Sequence, residues 1–427
     1  MHTGLMKRKD HKRSTVMKKI ITILACVSVL IITAIASGQT VTVAPATTSI
    51  ASTPTASAEY EGAFWSSEKL TPGYPIEKIE VAGTYKQIGY AFGQWYKNQG
   101  YKPRPLTADQ QAMARAQFAF YEKVYPSTAE QMRGVYAAYG LNLADMNIGI
   151  PVYEAKGFQC LLPGVIDNNT TQDQYVNDCS VVFTRPEMNQ DGHARLGRNE
   201  DWPNVISQTA LIFTYPENGG YPTVIMTGSM PGFVNLDGMN SRGLALGYAL
   251  VVSSGYPLAQ GPVLIIRQAQ QLVLEKCANV EEAIVMLRAL PITFLSTDNL
   301  GHILLADRGG ASAVVEFLAE GMVVSRTDTP YQVMTNNYWA GIGDKKELCW
   351  RYNVAARNLK NTYKQVDMAG MMAVMSAIRN STQWSIVYDL QDLSLGLALP
   401  NDKFATQYKF SLADFIARIE KWKTGGK

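Results

Sequence analysis

Asn177-Asp178-Cys179-Ser180-Val181-Val182-Phe183, followed after a turn by Ala194-Arg195-Leu196-Gly197-Arg198-Asn199-Glu200-Asp201-Trp202, is the pair of segments on which the fold of this chain turns. Cys179 opens an apolar run of strand character. Pro186-Glu187-Met188-Asn189-Gln190-Asp191-Gly192 supplies the turn residues, and the returning run ends by presenting Arg198, Asn199 and Asp201 close to where the first began. The pattern predicts a hairpin that brings a thiol, a guanidinium and a carboxylate to one end of a sheet. Whether that thiol is a nucleophile is the question the rest of the sequence has to answer.

The chain has 427 residues, 47% of them hydrophobic, enough to bury a large core. Its formal charge of +3 is uneven: residues 1–19 hold seven Lys/Arg against Asp10 alone, a balance of +6, which leaves −3 for residues 20–427. A mildly acidic body gives no support to a nucleic-acid groove. The basic start runs into an apolar stretch, Ile20 to Ala36, ending Ala34-Ile35-Ala36 before Ser37. That order is expected of a secretory signal in residues 1–37, and the alternative is an uncleaved N-terminal membrane anchor through residues 20–36. Both readings place the protein outside the cytoplasm, extracellular or in the cell envelope. The stretch is 17 residues long, against the ~20 that a spanning helix needs.

Residues 38–73 read as an Ala/Thr/Ser/Pro-rich linker, 74–178 as a mostly helical region, and 179–427 as the body. Ile88, Phe92 and Trp95/Tyr96 form one stripe of a helix over Thr84–Asn98, where Gly89 and Gly93 let another backbone approach closely. Thr107–Tyr125 and Ser127–Tyr139 are two further helices, the latter opening on a Ser127-Thr128-Ala129-Glu130 capping box and stopped by Gly140. Beyond Asp201 the expected strands are 209–214, 223–227, 233–236, 244–252, 294–297, 302–306, 313–317, 321–326, 332–336, 384–389 and 393–399, with Asp237-Gly238 as a turn. Helices are expected at 262–274, 280–290, 346–358 and 367–378. Strands in antiparallel series with helices between groups indicate an α+β fold of antiparallel sheets covered by helices.

The four histidines are His2, His11, His193 and His302. The last two sit in Gly-containing turns and are expected to be exposed. No spaced His/Cys cluster, phosphate loop, dinucleotide fingerprint or nucleophile elbow is present, so no metal and no cofactor are expected. The cysteines, at 26, 160, 179, 277 and 349, are too sparse for a disulfide framework, although Cys160 could pair with Cys277 or Cys349 in an oxidising compartment. A cysteine nucleophile with no imidazole at hand needs another base near neutral pH. An α-amine, with a reference pKa of about 7.7–8, is the one such group that any chain can expose by breaking a peptide bond.

These segments resemble the N-terminal-nucleophile (Ntn) hydrolases of the linear-amide branch, which contains choloylglycine hydrolase, penicillin V acylase, acid ceramidase and the isopenicillin N acyltransferase. The resemblance runs from about Ile79 to Leu399. It is carried by Asp178-Cys179-Ser180 with Gly197-Arg198-Asn199-Glu200-Asp201-Trp202, and then by Gly238-Met239-Asn240-Ser241-Arg242-Gly243-Leu244-Ala245, Met334-Thr335-Asn336-Asn337-Tyr338, Trp350-Arg351-Tyr352 and Ser385-Ile386-Val387-Tyr388-Asp389. It implies a four-layer αββα sandwich and self-cleavage between Asp178 and Cys179, with residues 74–178 kept as a small subunit. The implied activity is cysteine-dependent hydrolysis of a linear amide or N-acyl substrate. An acyltransferase using the same thioester, or a non-catalytic envelope protein on the same fold, are the alternatives. Carried over by motif, Cys179 is the nucleophile, Arg198 and Asp201 flank it, Asn336 donates to the oxyanion, and Arg351 orders the cluster. Asn199, Asn337 and Tyr248 are weaker candidates for contact with substrate or oxyanion. Two departures stand out: the turn at Pro186–Gly192 is longer than in relatives, and Asp178 precedes the nucleophile where the fungal acyltransferase has Gly. A homo-oligomer is compatible with all of this.

Overall fold

Strands of the expected hairpin carry apolar side chains on successive residues because both of their faces are covered. Val181 and Phe183 enter the large core between two sheets, while Val182 enters a second core beneath helices. The same split recurs in the neighbouring strand, where Ile386 and Tyr388 face one core and Val387 the other. A near-continuous apolar run is what a strand buried on both sides requires.

The computed structural model describes residues 59–155, 158–162, 165–167, 179–202, 209–228, 231–252, 255–257, 261–294, 299–340 and 348–425. In chain order the strands of its two large sheets are β1 (Phe64–Lys69), β2 (Ile76–Gly83), β3 (Ser180–Thr184), β4 (Arg195–Asp201), β5 (Thr209–Pro216), β6 (Thr223–Thr227), β7 (Asp237–Asn240), β8 (Leu244–Val252), β9 (Asn299–Asp307), β10 (Ser312–Leu318), β11 (Gly321–Ser325), β12 (Tyr331–Met334), β13 (Thr382–Asp389), β14 (Ser394–Ala398) and β15 (Gln407–Ser411). A nine-stranded sheet has the order β1-β2-β5-β6-β7-β8-β9-β10-β11, and a six-stranded sheet the order β12-β3-β4-β13-β14-β15. Pairing is antiparallel throughout both except between β2 and β5, which are parallel. The helices are α1 (Tyr85–Asn98), α2 (Ala108–Val124), α3 (Pro126–Ala138), α4 (Ile266–Lys276), α5 (Val280–Ala289), α6 (Trp350–Asn361), α7 (Met368–Ala377) and α8 (Leu412–Lys423).

The sheets pack face to face: a side chain at Gly247 of β8 would strike Val181 and touch Arg198. On the outer faces, one at Gly238 of β7 would strike Leu274 of α4, and one at Gly197 of β4 would strike Met371 and Met375 of α7. Helices, sheet, sheet and helices therefore stack as an α+β sandwich of large antiparallel sheets flanked by helices.

Several local expectations are corrected. Strand β1 falls inside the stretch read as linker. Asp237-Gly238 is strand, not turn, and 233–236 is not strand, because Asp237 is drawn into the inter-sheet space by buried partners. Helix α3 begins at Pro126, and Ser127 is spent on a bond to Glu275 instead of a capping box. Strand β15 and helix α8, beyond the last expected strand, complete the six-stranded sheet and cover β5. His302 is fully buried in β9, not exposed. Cys277 and Cys349 are free thiols, so neither pairs with Cys160, whose side chain lies outside the description.

The membrane expectation is also corrected. Among the described residues no helix is long and apolar enough to cross a membrane, and residues 20–36 lie outside them. Anchorage, and the exported envelope location built on that segment, are withdrawn.

Close approach of α1 and α3 is set by glycine. A Cβ at Gly89 would lie 2.0 Å from the Gln131 carbonyl oxygen, and one at Gly134 would lie 2.1 Å from that of Lys86. Both obstacles are backbone, which cannot step aside as a side chain does. Gly134→Ala is expected to force the helices apart and lower stability by about 2–3 kcal/mol, read as a fall in thermal midpoint. An unchanged midpoint would mean the helices are not locked together.

Candidate active site

Residue alternation along β4 sorts its polar side chains. In the antiparallel register Ser180 faces Asn199 and Val181 faces Arg198. Arg198 and Glu200 share the inter-sheet face, whereas Asn199 turns the other way and donates its amide to the Met375 carbonyl at 2.9 Å. Asn199 is therefore bonded into the helix layer and does not reach the thiol side.

Arg198 is fully buried. Its Nη1 donates to Asp237 Oδ2 at 2.8 Å, its Nε to the Tyr248 carbonyl at 3.0 Å, and its Nη2 to Glu200 Oε2. The same Nη2 lies 3.7 Å from Cys179 Sγ. Burial alone would lower the pKa of the guanidinium, but Glu200 and Asp237 outweigh it and hold the group firmly cationic. Asp237 is fixed in turn by the Tyr388 hydroxyl at 2.5 Å and the Trp384 indole at 3.4 Å.

Cys179 is 3% exposed, yet its surroundings are charged. Its thiol is pushed up, first by burial and then by Glu200, against a lowering by Arg198. A thiol held in this way stays protonated near neutral pH and needs a base in contact.

Arg351, in the first turn of α6, ties three strand ends together. Its Nη1 donates to the Cys179 carbonyl at 2.5 Å and to Ser180 Oγ at 3.0 Å, and stands 3.8 Å from Asp201 Oδ2. Its Nη2 donates to Asn336 Oδ1 at 3.0 Å. Asn336, two residues past β12, donates from Nδ2 to the Leu250 carbonyl at 2.7 Å, and that nitrogen carries a second hydrogen. Asp201 accepts from Thr382 Oγ1 and is raised to about 7, burial outweighing the help of Thr382 and Arg351.

Cys179, Arg198, Asp201, Asn336 and Arg351 thus converge from one hairpin, the segment after β12 and the first turn of α6. Tyr248 joins them through its carbonyl, while its ring lies against Arg267, 5.5 Å away. Asn337 follows Asn336, half-buried. Asp178 lies outside the described residues. Glu200 and Asp237 were missed by the sequence reading. The period of two along β4 could have flagged Glu200, which shares a face with Arg198; nothing local flags Asp237. His302 braces the carbonyl of Thr335, the residue before Asn336, at 2.6 Å and lies 3.3 Å from Glu316. At the far end of the hairpin, Asp191, His193 and Asp389 are close enough to share a cation, but Arg195 already pairs with both aspartates.

Asp201 gives the site a pH signature. Its pKa rises on folding from an ordinary 3.8 to about 7, so between those values the folded chain holds a proton the unfolded chain has lost. Stability therefore falls as pH rises through that window. In a Cys179→Ala background, the unfolding free energy is expected to drop by up to about 4 kcal/mol more from about pH 4 to pH 7 than in the Cys179→Ala, Asp201→Asn chain. Urea unfolding measures this, and parallel pH curves would refute it.

Residues 188–361 match the family described as acyl-coenzyme A:6-aminopenicillanic acid acyl-transferase. Among solved structures, the chain is similar to penicillin V acylase from Agrobacterium tumefaciens, with 22% identity over 54% of this chain and 85% of that one, TM-score 0.40. It is also similar to a mutant of the conjugated bile acid hydrolase from Clostridium perfringens, with 16% identity over 55% of this chain and 93% of that one, TM-score 0.46. No curated protein matches. The matched residues 188–361 take in Arg198, Asp201, Asn336 and Arg351, so over this part of its length the chain is similar to that family, on an α+β sandwich of antiparallel sheets flanked by helices.

Proposed function

We propose that the chain cleaves itself between Asp178 and Cys179, and that Cys179 then accepts the acyl group of a small linear amide as a thioester. The observation that carries this reading is the placing of Cys179 immediately before β3, its carbonyl gripped by Arg351 and its sulfur beside Arg198. Cleavage would free an amine on the residue that bears the thiol. That amine takes the thiol proton as sulfur attacks the substrate carbonyl, and returns it to the leaving nitrogen. Arg198 favours the thiolate, and Asp201 holds the ammonium that forms. Asn336 offers its second amide hydrogen to the oxyanion, while Arg351 keeps Asn336 and the start of β3 in register.

The thioester then passes its acyl group to an acceptor. Water would make the chain an amide hydrolase. The description of the matching family is of an acyl-transferase, which favours an amine or thiol acceptor over water. Offering both acceptors to the acylated enzyme and measuring the partition separates the two.

Retention of the upstream fragment follows from where its parts are bonded. Strand β2 lies inside the nine-stranded sheet against β5. Tyr125 and Ser127 donate to the buried carboxylate of Glu275 at 2.9 and 2.8 Å, with Tyr85 3.3 Å away. Losing this fragment would leave β5 an open edge and Glu275 without these partners.

Purified active protein is expected to show an N-terminus at Cys179 by mass spectrometry, with both fragments co-eluting under native conditions; an intact, fully active chain would refute the cleavage. Cys179→Ala is expected to abolish both cleavage and turnover. Asn336→Ala is expected to lower kcat by about 100- to 1,000-fold with the chain still cut, and an unchanged kcat would remove Asn336 from the oxyanion site.

A further inference from the structure

The amine cannot be the base for the step that creates it. In the uncut chain the nitrogen of Cys179 is an amide, and its thiol sits in a buried, protonating setting. Neither described imidazole contacts the sulfur: His193 is paired with Asp389 at the far end of the hairpin, and His302 braces Thr335. Glu200 does contact it, its Oε2 lying 3.4 Å from Cys179 Sγ.

We propose that Glu200 is the proton acceptor for Cys179 during self-cleavage, a role that rests on the reading of self-cleavage above. The thiol proton passes to the Glu200 carboxylate, and the thiolate attacks the carbonyl carbon of Asp178. As the C–N bond breaks, protonated Glu200 returns that proton to the departing nitrogen. The products are a thioester between Asp178 and the Cys179 sulfur and a free α-amine. Water then cleaves the thioester, releasing the Asp178 carboxyl and restoring the thiol. Arg198, bonded to Glu200 and 3.7 Å from the sulfur, is cationic at both ends of the transfer. The other titratable groups around Glu200 are Asp201 on its own strand, Asp237 on β7, Tyr248 on β8 and Tyr74 ahead of β2. The cation bonded to the carboxylate is Arg198.

The test compares full-length wild type, Cys179→Ala, Glu200→Gln and Glu200→Asp, following cleavage by mass spectrometry from the moment of purification. Glu200→Gln is expected to slow cleavage by about 100-fold or more, with Glu200→Asp in between. Once cut, the Gln enzyme is expected to lose less in turnover per titrated site than it lost in cleavage, because the freed amine then serves as base while Arg198 has lost one charged partner. Cleavage of Glu200→Gln at the wild-type rate overturns the proposal. So does an equal loss of cleavage and turnover, which marks a structural role. If the Gln chain fails to fold, Glu200→Ala with added formate decides: formate-dependent cleavage upholds the proposal, and a folded Ala chain cut at the wild-type rate overturns it. A wild-type chain that never yields an N-terminus at Cys179 defeats the underlying reading instead, a result distinct from any of these.

Discussion

A guanidinium with no access to water sets the terms for this site. Arg198 is enclosed between two sheets, and a cation there is tolerable only when fully paired and hydrogen-bonded. Asp237 from β7, Glu200 from its own strand and the Tyr248 carbonyl from β8 meet that demand. The consequence is geometric, since satisfying Arg198 fixes β4 of one sheet against β7 and β8 of the other. The thiol of Cys179, one strand over, inherits a position beside a cation that cannot move. Tyr388 and Trp384, which hold Asp237, extend the same constraint to β13.

Arg351 does for the strand ends what Arg198 does for the sheet interior. A single side chain from the first turn of α6 reaches the backbone of Cys179, the hydroxyl of Ser180 and the amide of Asn336, and stands near Asp201. The planar fork of arginine suits this, because its donors diverge in fixed directions where a lysine would offer a single point of charge. The polar groups of the site are thereby ordered before any substrate arrives, the arrangement that favours transition-state over ground-state stabilisation. Burial also sets the protonation problem of the site, raising the thiol and Asp201 together.

The N-terminal region is joined to the body by more than contact. Strand β2 is a sheet member, and Glu275 is held by hydroxyls that come from α1, α3 and the residue before α3. The glycines that seat α1 against α3 keep those hydroxyls in reach. Packing in the upstream segment therefore bears on the sheet that carries Asp237 and Tyr248.

Much of this was legible along the chain. The hairpin from Cys179 to Asp201, the α1 stripe of Ile88, Phe92 and Trp95, and the small-residue contact at Gly89 all follow from periodicity and residue type, which act locally. The five residues gathered around the thiol were named from the resemblance of their motifs to those of the Ntn hydrolases, which carries over identities but not how they bond. What only the tertiary structure decided are the long-range pairings. Asp237 became strand because Arg198 waits across the inter-sheet space, and Ser127 left its expected cap because Glu275 accepts from it. His302 is buried between Glu316 and the Thr335 carbonyl, and Glu200 meets the thiol because strand alternation puts it on the face of Arg198. Each depends on a partner tens to hundreds of residues away or on the opposite face of a neighbouring strand. Local sequence decides which residues prefer a turn, a cap or a strand, but a buried charge is satisfied only by what the fold brings to it.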